Sequence, residues 1–384
     1  MKYLYEVIKK EFKSIFTNKY YIFLVCFFPF LDLLFLGGIY FYGSVHNMPI
    51  AVIDKDNSKI SRTISRYFNS SYAFDIFYKP NNIEEINSLF LNNKIFMCVF
   101  IPKDTQKNIK RSLPANVTLY VDGSNFLTAN LSEIEGASVI GTINAGLKNK
   151  MMKKRGIQSK QADEMMLPIK NDTSKLFNPS SNYGYFLTPG IWISVLGQLF
   201  LIFGTLTIGK KLETEKLHEN VFCLIVGKLI VYTIISTIYF EILFRIFFPA
   251  FQIPFDGNTS GAIILSILFV ISTVCLGMLM PAITGNRLDA LKGCLLVGSP
   301  AFLISGYTWP LEQMPVLIKT LSLFIPLTSY LEGFRKIFQQ NMQLYYIYPF
   351  AKTLIILFIS YFSVTYISLL IRKRKEQNKN IEKK

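Results

Sequence analysis

The stretch Ala301-Phe302-Leu303-Ile304-Ser305-Gly306-Tyr307-Thr308-Trp309-Pro310-Leu311-Glu312-Gln313-Met314-Pro315 decides the fold of this chain. An apolar run over 288–307 meets Trp309-Pro310, where the proline ring removes a backbone donor and blocks continuation of a helix. Beyond it, 316–338 is again largely apolar, but Pro326 cuts it, so neither half reaches the roughly 20 apolar residues that a bilayer crossing needs. Backbone broken at membrane depth survives only where protein covers it or it lines water. Residues 308–347 are therefore expected to form a re-entrant hairpin at the outer mouth of a helical membrane bundle. Ser305, Gly306, Trp309, Pro310, Pro315 and Pro326 are its marked positions.

Composition agrees with a membrane protein. The 384 residues are 51% hydrophobic, 15% aromatic and only 17% charged, with a mean hydropathy of +0.33, which is too apolar for an ordinary soluble domain. The net charge of +16 gathers beside apolar runs, which suits anionic lipid heads and membrane orientation better than nucleic acid. Cys26, Cys223, Cys275 and Cys294 lie in or beside apolar runs and Cys98 stands alone in the polar part, so no disulfide framework is implied. His46 and His218 are the only histidines and have no neighbours at metal-ligand spacing, so no metal site is expected.

Outward from the deciding stretch, the chain divides by hydropathy. Residues 1–19 read as a cytoplasmic amphipathic interfacial helix, with Leu4, Ile8, Phe12, Ile15 and Phe16 on one arc and Lys2, Glu6, Lys9, Lys10 and Lys13 on the other. The first crossing, 20–42, has a lysine-rich leading flank that stays inside. In 43–182 the pattern becomes that of an α/β domain, with strands expected at 49–53, 73–78, 95–101 and 117–121. Asn57-Ser58 is expected to cap one helix, Asn82 with Glu85 to form the capping box of a second, and 126–154 to form a long third. Further crossings follow at 183–208, 221–248, 259–280, 288–307 and 348–371. The connection 209–220 and the tail 372–384 are basic, which keeps both on the cytoplasmic side. The expected class is a membrane α-helical protein of six transmembrane helices with a re-entrant extracytoplasmic hairpin, an inserted α/β extracytoplasmic domain and both termini in the cytoplasm.

Charges inside apolar runs mark places where a partner or water is needed. Asp32 lies in the first crossing, with pathway and packing roles both open. Glu241 and Arg245, four apart on the third, can face each other as an ion pair near its outer end. Lys228 is expected to snorkel to the inner boundary. Gly227-Lys228-Leu229 lacks the upstream glycine and following hydroxyl of a phosphate-cradling loop, and neither a Gly-x-Ser-x-Gly elbow nor a His/Cys arrangement for nucleophilic chemistry occurs. Asp54-Lys55-Asp56 reads as a charged strand-to-helix turn. The expectation is a transport protein, not an enzyme, whose energy comes from another chain.

Four stretches together resemble the permease subunit of an ABC-type-2 exporter, in the branch with a large extracytoplasmic insertion after the first helix. They are 49–58 with Ser61-Arg62, Leu176-Phe177-Asn178-Pro179 with 186–190, Gly227-Lys228-Leu229, and 303–315 followed by Pro326, Tyr330 and Arg335. The resemblance covers nearly the whole chain. It implies a multi-pass protein of the bacterial plasma (inner) membrane that works with an ABC ATP-binding subunit and a second permease, as a homo- or heterodimer. A periplasmic adaptor is a further implied partner. ATP and Mg would belong to the ATPase, with no cofactor on this chain. It further implies a coupling loop at 209–220 that docks on the ATPase, with Glu213, Glu215, Lys216 and His218 as contacts. The loop departs from the family pattern, being short and lacking the expected Gly-Thr and later proline. A mechanotransmitting component that relays ATPase strokes outward without passing substrate is the alternative.

Overall fold

The computed structural model describes residues 2–41, 45–111, 113–154, 177–178, 182–214, 220–255, 257–338, 340 and 342–381. The chain forms two compact units, Ser44–Ser174 and the remainder on either side of it.

The larger unit begins with α1 (Lys2–Thr17), then α2 (Lys19–Ile22), a π-helical turn (Phe23–Phe27) and α3 (Phe28–Ile39), the last three running on without a break. Pro29 sits in the first turn of α3 and has no N–H to give the carbonyl of Val25 four residues back. That carbonyl accepts instead from the hydroxyl of Tyr239.

The smaller unit is a four-stranded sheet with helices on both faces. In chain order it contains β1 (Met48–Asp54), α4 (Lys59–Asn69), β2 (Phe74–Tyr78), α5 (Ile83–Leu91), β3 (Met97–Ile101), α6 (Thr105–Lys110), β4 (Thr118–Val121) and α7 (Phe126–Lys154). The strand order is β2-β1-β3-β4; β1 is parallel to β2 and β3, and β4 is antiparallel to β3. Alternation along β1 sends Ile50 and Val52 to a core shared with Ile64 and Phe68 of α4 and Val139 and Ile143 of α7, and Ala51 and Ile53 to a second core with Ile86 of α5. The edge at β2 is blocked by its own chain: Ser71 O accepts from Phe74 N and Asn69 Oδ1 from Ile76 N. The strands start and stop within two residues of the sequence-based limits. One cap differs: Asn82 makes no side-chain cap, and the Glu85 carboxylate accepts from Asn81 N, one residue earlier than expected. Cys98 is fully buried, and burial pushes its thiol up to about 12, so it stays protonated as a packing group.

The rest of the larger unit comprises α8 (Tyr183–Thr214), α9 (Val221–Ile242) with a π turn (Leu243–Phe247) and α10 (Phe248–Ala250), α11 (Thr259–Thr284), α12 (Arg287–Ala301), α13 (Val316–Leu323), α14 (Pro326–Phe338) and α15 (Tyr348–Ile381). Among the described residues, four helices are long and apolar enough to cross a membrane: α8, α9 with its continuation, α11 and α15. Helix α11 is the central element, packed against α8, α9, α14 and α15. Its contact with α8 is close because both sides are glycine. A Cβ at Gly204 would fall 2.3 Å from Val274 O, and one at Gly277 2.2 Å from Leu201 O, so the backbones touch as small residues permit in membrane helices.

The fifth apolar run does not stay helical to residue 307. Helix α12 carries Pro300 in its last turn and ends at Ala301; turns follow, with the Ser305 hydroxyl donating to Phe302 O and Gly306 at φ +83, a left-handed conformation glycine adopts without strain. Pro310 opens a 3₁₀ turn (Leu311–Gln313), Pro315 precedes α13 and Pro326 starts α14. Trp309 is exposed, whereas Tyr330 of α14 is fully buried, its hydroxyl 2.7 Å from Ser266 Oγ of α11. Helix α15 continues through the basic segment expected as a tail, and the Arg372 guanidinium donates to Ala282 O and Ile283 O at the end of α11.

Pro281 inside α11 repeats the theme of Pro29. The acceptor it leaves without a helix partner, Gly277 O, lies 2.9 Å from Thr205 Oγ1 of α8, which is also 3.0 Å from Leu201 O. Thr205→Val keeps the shape and removes the donor, so it is expected to lower unfolding stability in detergent by about 1–3 kcal/mol, while Thr205→Ser stays near wild type. Thermal unfolding midpoints of the two variants check this.

Candidate functional site

Val7, Glu11 and Ile15 recur every four residues along α1 and share one stripe. Val7 and Ile15 are buried against the bundle, which draws Glu11 inward between them. Opposite Val7 lies Gly227 of α9, where a Cβ would come within 2.8 Å of Val7 Cγ1; the absent side chain lets α1 sit flat on α9. The next residue, Lys228, is 6% exposed. It does not snorkel. Its ammonium donates to Glu11 Oε2 at 2.6 Å, to Thr207 Oγ1 at 2.6 Å and to Thr207 O at 3.3 Å. Glu11 Oε1 accepts in turn from the hydroxyls of Thr207 and Tyr232, the latter at 2.8 Å.

The Glu11 side chain is 12% exposed and that of Lys228 7%. Two charges so far from water survive only because every donor direction of the ammonium is used and the carboxylate is held by three residues. Burial pushes the Glu11 carboxyl up, but the Lys228 charge and the hydrogen bonds from Lys228, Thr207 and Tyr232 outweigh it, leaving the group below its ordinary value. Beside the pair is a cavity of about 280 Å³ between α1, the start of α2 and the neighbouring ends of α8 and α9.

The same end of the bundle carries two more ties. Glu213, at the end of α8, accepts from Arg287 N at 3.2 Å and lies 3.5 Å from Arg287 Nε, joining α8 to the start of α12. Arg372 ties α15 to α11. Of the other sequence-based contacts, Glu215, Lys216 and His218 lie outside the described residues. Asp32 is half-buried, and its Oδ2 has no hydrogen-bond partner among the described residues. Glu241 and Arg245 do pair, but on an outer surface, with Arg245 69% exposed. The hairpin positions Ser305 and Gly306 meet in the turn after α12, far along the chain from Glu11 and not part of its network. Glu11, Thr207 and Tyr232 were missed by sequence reasoning. The signal for Glu11 was its place in the four-residue spacing of Val7 and Ile15.

The sequence stretches that carry the resemblance acquire local roles. Asp54 at the end of β1 accepts from Asp56 N at 3.0 Å, Asn57 N at 2.8 Å and Ser61 Oγ at 2.6 Å, while Ser58 and Ser61 form a capping box for α4. Asp56 Oδ2 accepts from Gln106 N at 3.1 Å, tying this turn to α6. Gly227-Lys228 seats α1. Among the described residues no three His, Cys, Asp or Glu side chains gather as a metal site.

A carboxyl whose folded value is depressed contributes stability above its ordinary value and loses it as pH falls through the folded value. The Glu11 contribution is therefore expected to be intact down to the ordinary 4.5 and to vanish below it. Unfolding midpoints taken from pH 7 downward should show an acid-dependent loss that is reduced in Glu11→Gln, whose side chain does not titrate.

Comparison with known proteins places the chain in a family. Residues 19–371 match the family described as ABC-2 family transporter protein. The chain is 22% identical to "Probable multidrug ABC transporter permease YbhR" of Escherichia coli (strain K12), over 78% of this chain and 80% of the relative. It is 22% identical to "Probable multidrug ABC transporter permease YbhS" of the same strain, over 90% of each. It is 21% identical to "Inner membrane transport permease YhhJ", over 95% of each. The chain is thus a multi-pass membrane protein of the ABC-2 transporter family, a permease of the ABC type.

Proposed function

We propose that this chain is the permease subunit of an ATP-driven exporter that crosses the bacterial inner membrane six times. Two permease subunits, identical or closely related, pair with two ATP-binding subunits, and ATP with Mg is bound there. Cargo of a drug-like or lipid-like kind leaves the cytoplasm or inner leaflet by alternating access. The unit at 44–174 lies on the outer side, where it meets an adaptor or shapes release.

Four long apolar helices support four of the crossings. The unbroken run from α2 to α3 spans residues 19–39, about 30 Å of helix, and suits the first. Helix α12, with the turns after it, suits the fifth. Large apolar side chains are exposed on α3 and α15, among them Leu31, Phe35, Ile356 and Ile359, as lipid contact requires. The short helices α13 and α14 serve as the re-entrant hairpin.

The observation that carries the coupling proposal is the set of polar ties at one end of the bundle: Glu11 to Lys228, Glu213 to Arg287, and Arg372 to the end of α11. Helix α8 continues to Thr214, through the first part of the 209–220 stretch expected as the coupling loop, and the connection begins only after it, next to Glu213. A push on that connection by an ATPase closing on ATP passes to α12 through Glu213 and to α1 through Lys228, so the helices tilt together. Co-expression with a candidate ABC ATP-binding subunit tests it. Glu213→Lys with Glu215→Lys is expected to weaken the purified complex and lower stimulated ATP turnover by about tenfold. An undiminished complex and turnover would remove the coupling assignment.

A further inference from the structure

In the smaller unit, α4 turns Ile60, Ile64 and Phe68 to the core and carries Arg62, Ser65, Arg66 and Asn69 on another face at helical spacing. These four line an open cleft of about 770 Å³. It reaches the carboxyl ends of the parallel strands β1 and β2, at Asp54 and at Lys79, just beyond Tyr78. Open α/β sheets take their ligands at the carboxyl ends of their strands. The volume is that of a small-molecule site, but among the described residues only Val52, Ile76 and Pro80 give the lining apolar side chains. The ligand that fits is hydrophilic.

The charges of the cleft are not balanced. Arg62, Arg66 and Lys79 share it with Asp54 and Asp75. Asp54 is taken up by its own turn, where its carboxylate accepts from Asp56 N, Asn57 N and Ser61 Oγ. Arg62 Nη1 donates to Asn57 O at 3.1 Å, which holds the guanidinium beside that turn and uses one of its five N–H groups. Among the described residues none of the three cations forms an ion pair, and Arg66, Lys79 and the Asp75 carboxylate make no side-chain hydrogen bond. Two like charges four apart on a helix repel each other, and an anion between them would reverse that. With Asp54 occupied, three positive charges stand against one negative.

We propose that this cleft binds a small phosphate monoester, its phosphoryl oxygens held by Arg62 and Arg66 with Lys79 beside them, and a hydroxyl of its organic part donating to Asp75. A phosphate monoester carries about −1.5 to −2 charges at neutral pH, which matches the surplus, whereas a single carboxylate or a phosphodiester carries only one. The planar guanidinium fork fits phosphate oxygens. Asp75, an acceptor only, repels a second anionic group and calls for a donor on the ligand. The site lies wholly within the smaller unit, so it stands or falls independently of export.

Calorimetric titration of the full chain in detergent uses glycerol 3-phosphate, glycerol, inorganic phosphate and succinate as probes. Glycerol 3-phosphate is expected to bind saturably, one per chain, and glycerol not at all. Arg66→Gln removes an exposed side chain that holds nothing else, so the fold stays intact. It should weaken glycerol 3-phosphate about tenfold or more, and Lys79→Gln about threefold. Asp75→Ala is expected to reduce the preference for glycerol 3-phosphate over inorganic phosphate about fivefold. Absence of saturable binding would overturn the proposal, as would an Arg66→Gln titration matching wild type. Succinate binding as tightly as glycerol 3-phosphate would overturn the phosphate assignment in favour of a carboxylate ligand, and an unchanged preference in Asp75→Ala would overturn the hydroxyl contact.

Discussion

A lysine ammonium cannot be left alone in the interior of an apolar bundle. Removing one ion from water costs several kcal/mol even after relaxation, and a single partner seldom offsets it. Lys228 meets that demand by recruiting Glu11 from a helix 217 residues away in sequence, together with both oxygens of Thr207. The consequence is mechanical. Helix α1 cannot lift from α8 and α9 without uncovering a charge on each side, so the amino-terminal helix and the next two long helices move as one body. Gly227 contributes by allowing the approach, and Tyr232 by holding the second carboxylate oxygen.

The same requirement for satisfied polar groups explains the surroundings of two of the helix prolines, Pro29 and Pro281. In a bundle without water, each proline inside a helix frees a carbonyl that must find another donor. Pro29 and Pro281 leave Val25 O and Gly277 O, and hydroxyls from neighbouring helices, Tyr239 and Thr205, reach them. Broken backbone thereby becomes a point of attachment between helices. Trp192 Nε1, donating to Leu33 O at 3.0 Å, fixes α8 to α3 in the same way. The apolar packing of α11 on its neighbours gives the bundle its bulk, and these few polar contacts set which helix meets which.

Much of this was legible in the sequence. The strands of the smaller unit stood out because β1 and β3 are short, nearly continuous apolar runs, as strands buried on both faces are, and the turns are marked by Asp, Asn and Ser. Helix α7 was visible because Asp122-Gly123 punctuates its start. The long apolar helices follow from length alone. What could not be read was pairing across distance. Glu11 was placed on neither arc, because the apolar arc read from Leu4, Ile8, Phe12, Ile15 and Phe16 shares only Ile15 with the buried stripe of Val7 and Ile15, and Phe16 is in fact exposed. Lys228, near the end of its helix, fitted snorkelling equally well until the acid opposite it was known. The end of α12 was misplaced because hydropathy continues to Tyr307 although Pro300 and Gly306 have already turned the chain.

A double-mutant cycle on the buried pair tests the account most directly. Glu11→Leu and Lys228→Met each leave one buried charge without its partner, and each is expected to cost about 3–5 kcal/mol of unfolding stability. Together they replace the pair by apolar groups, and the double variant is expected to be more stable than either single one, with a coupling of about 3 kcal/mol or more. Costs that simply add would show that Glu11 and Lys228 do not hold each other, and that α1 is seated by something else.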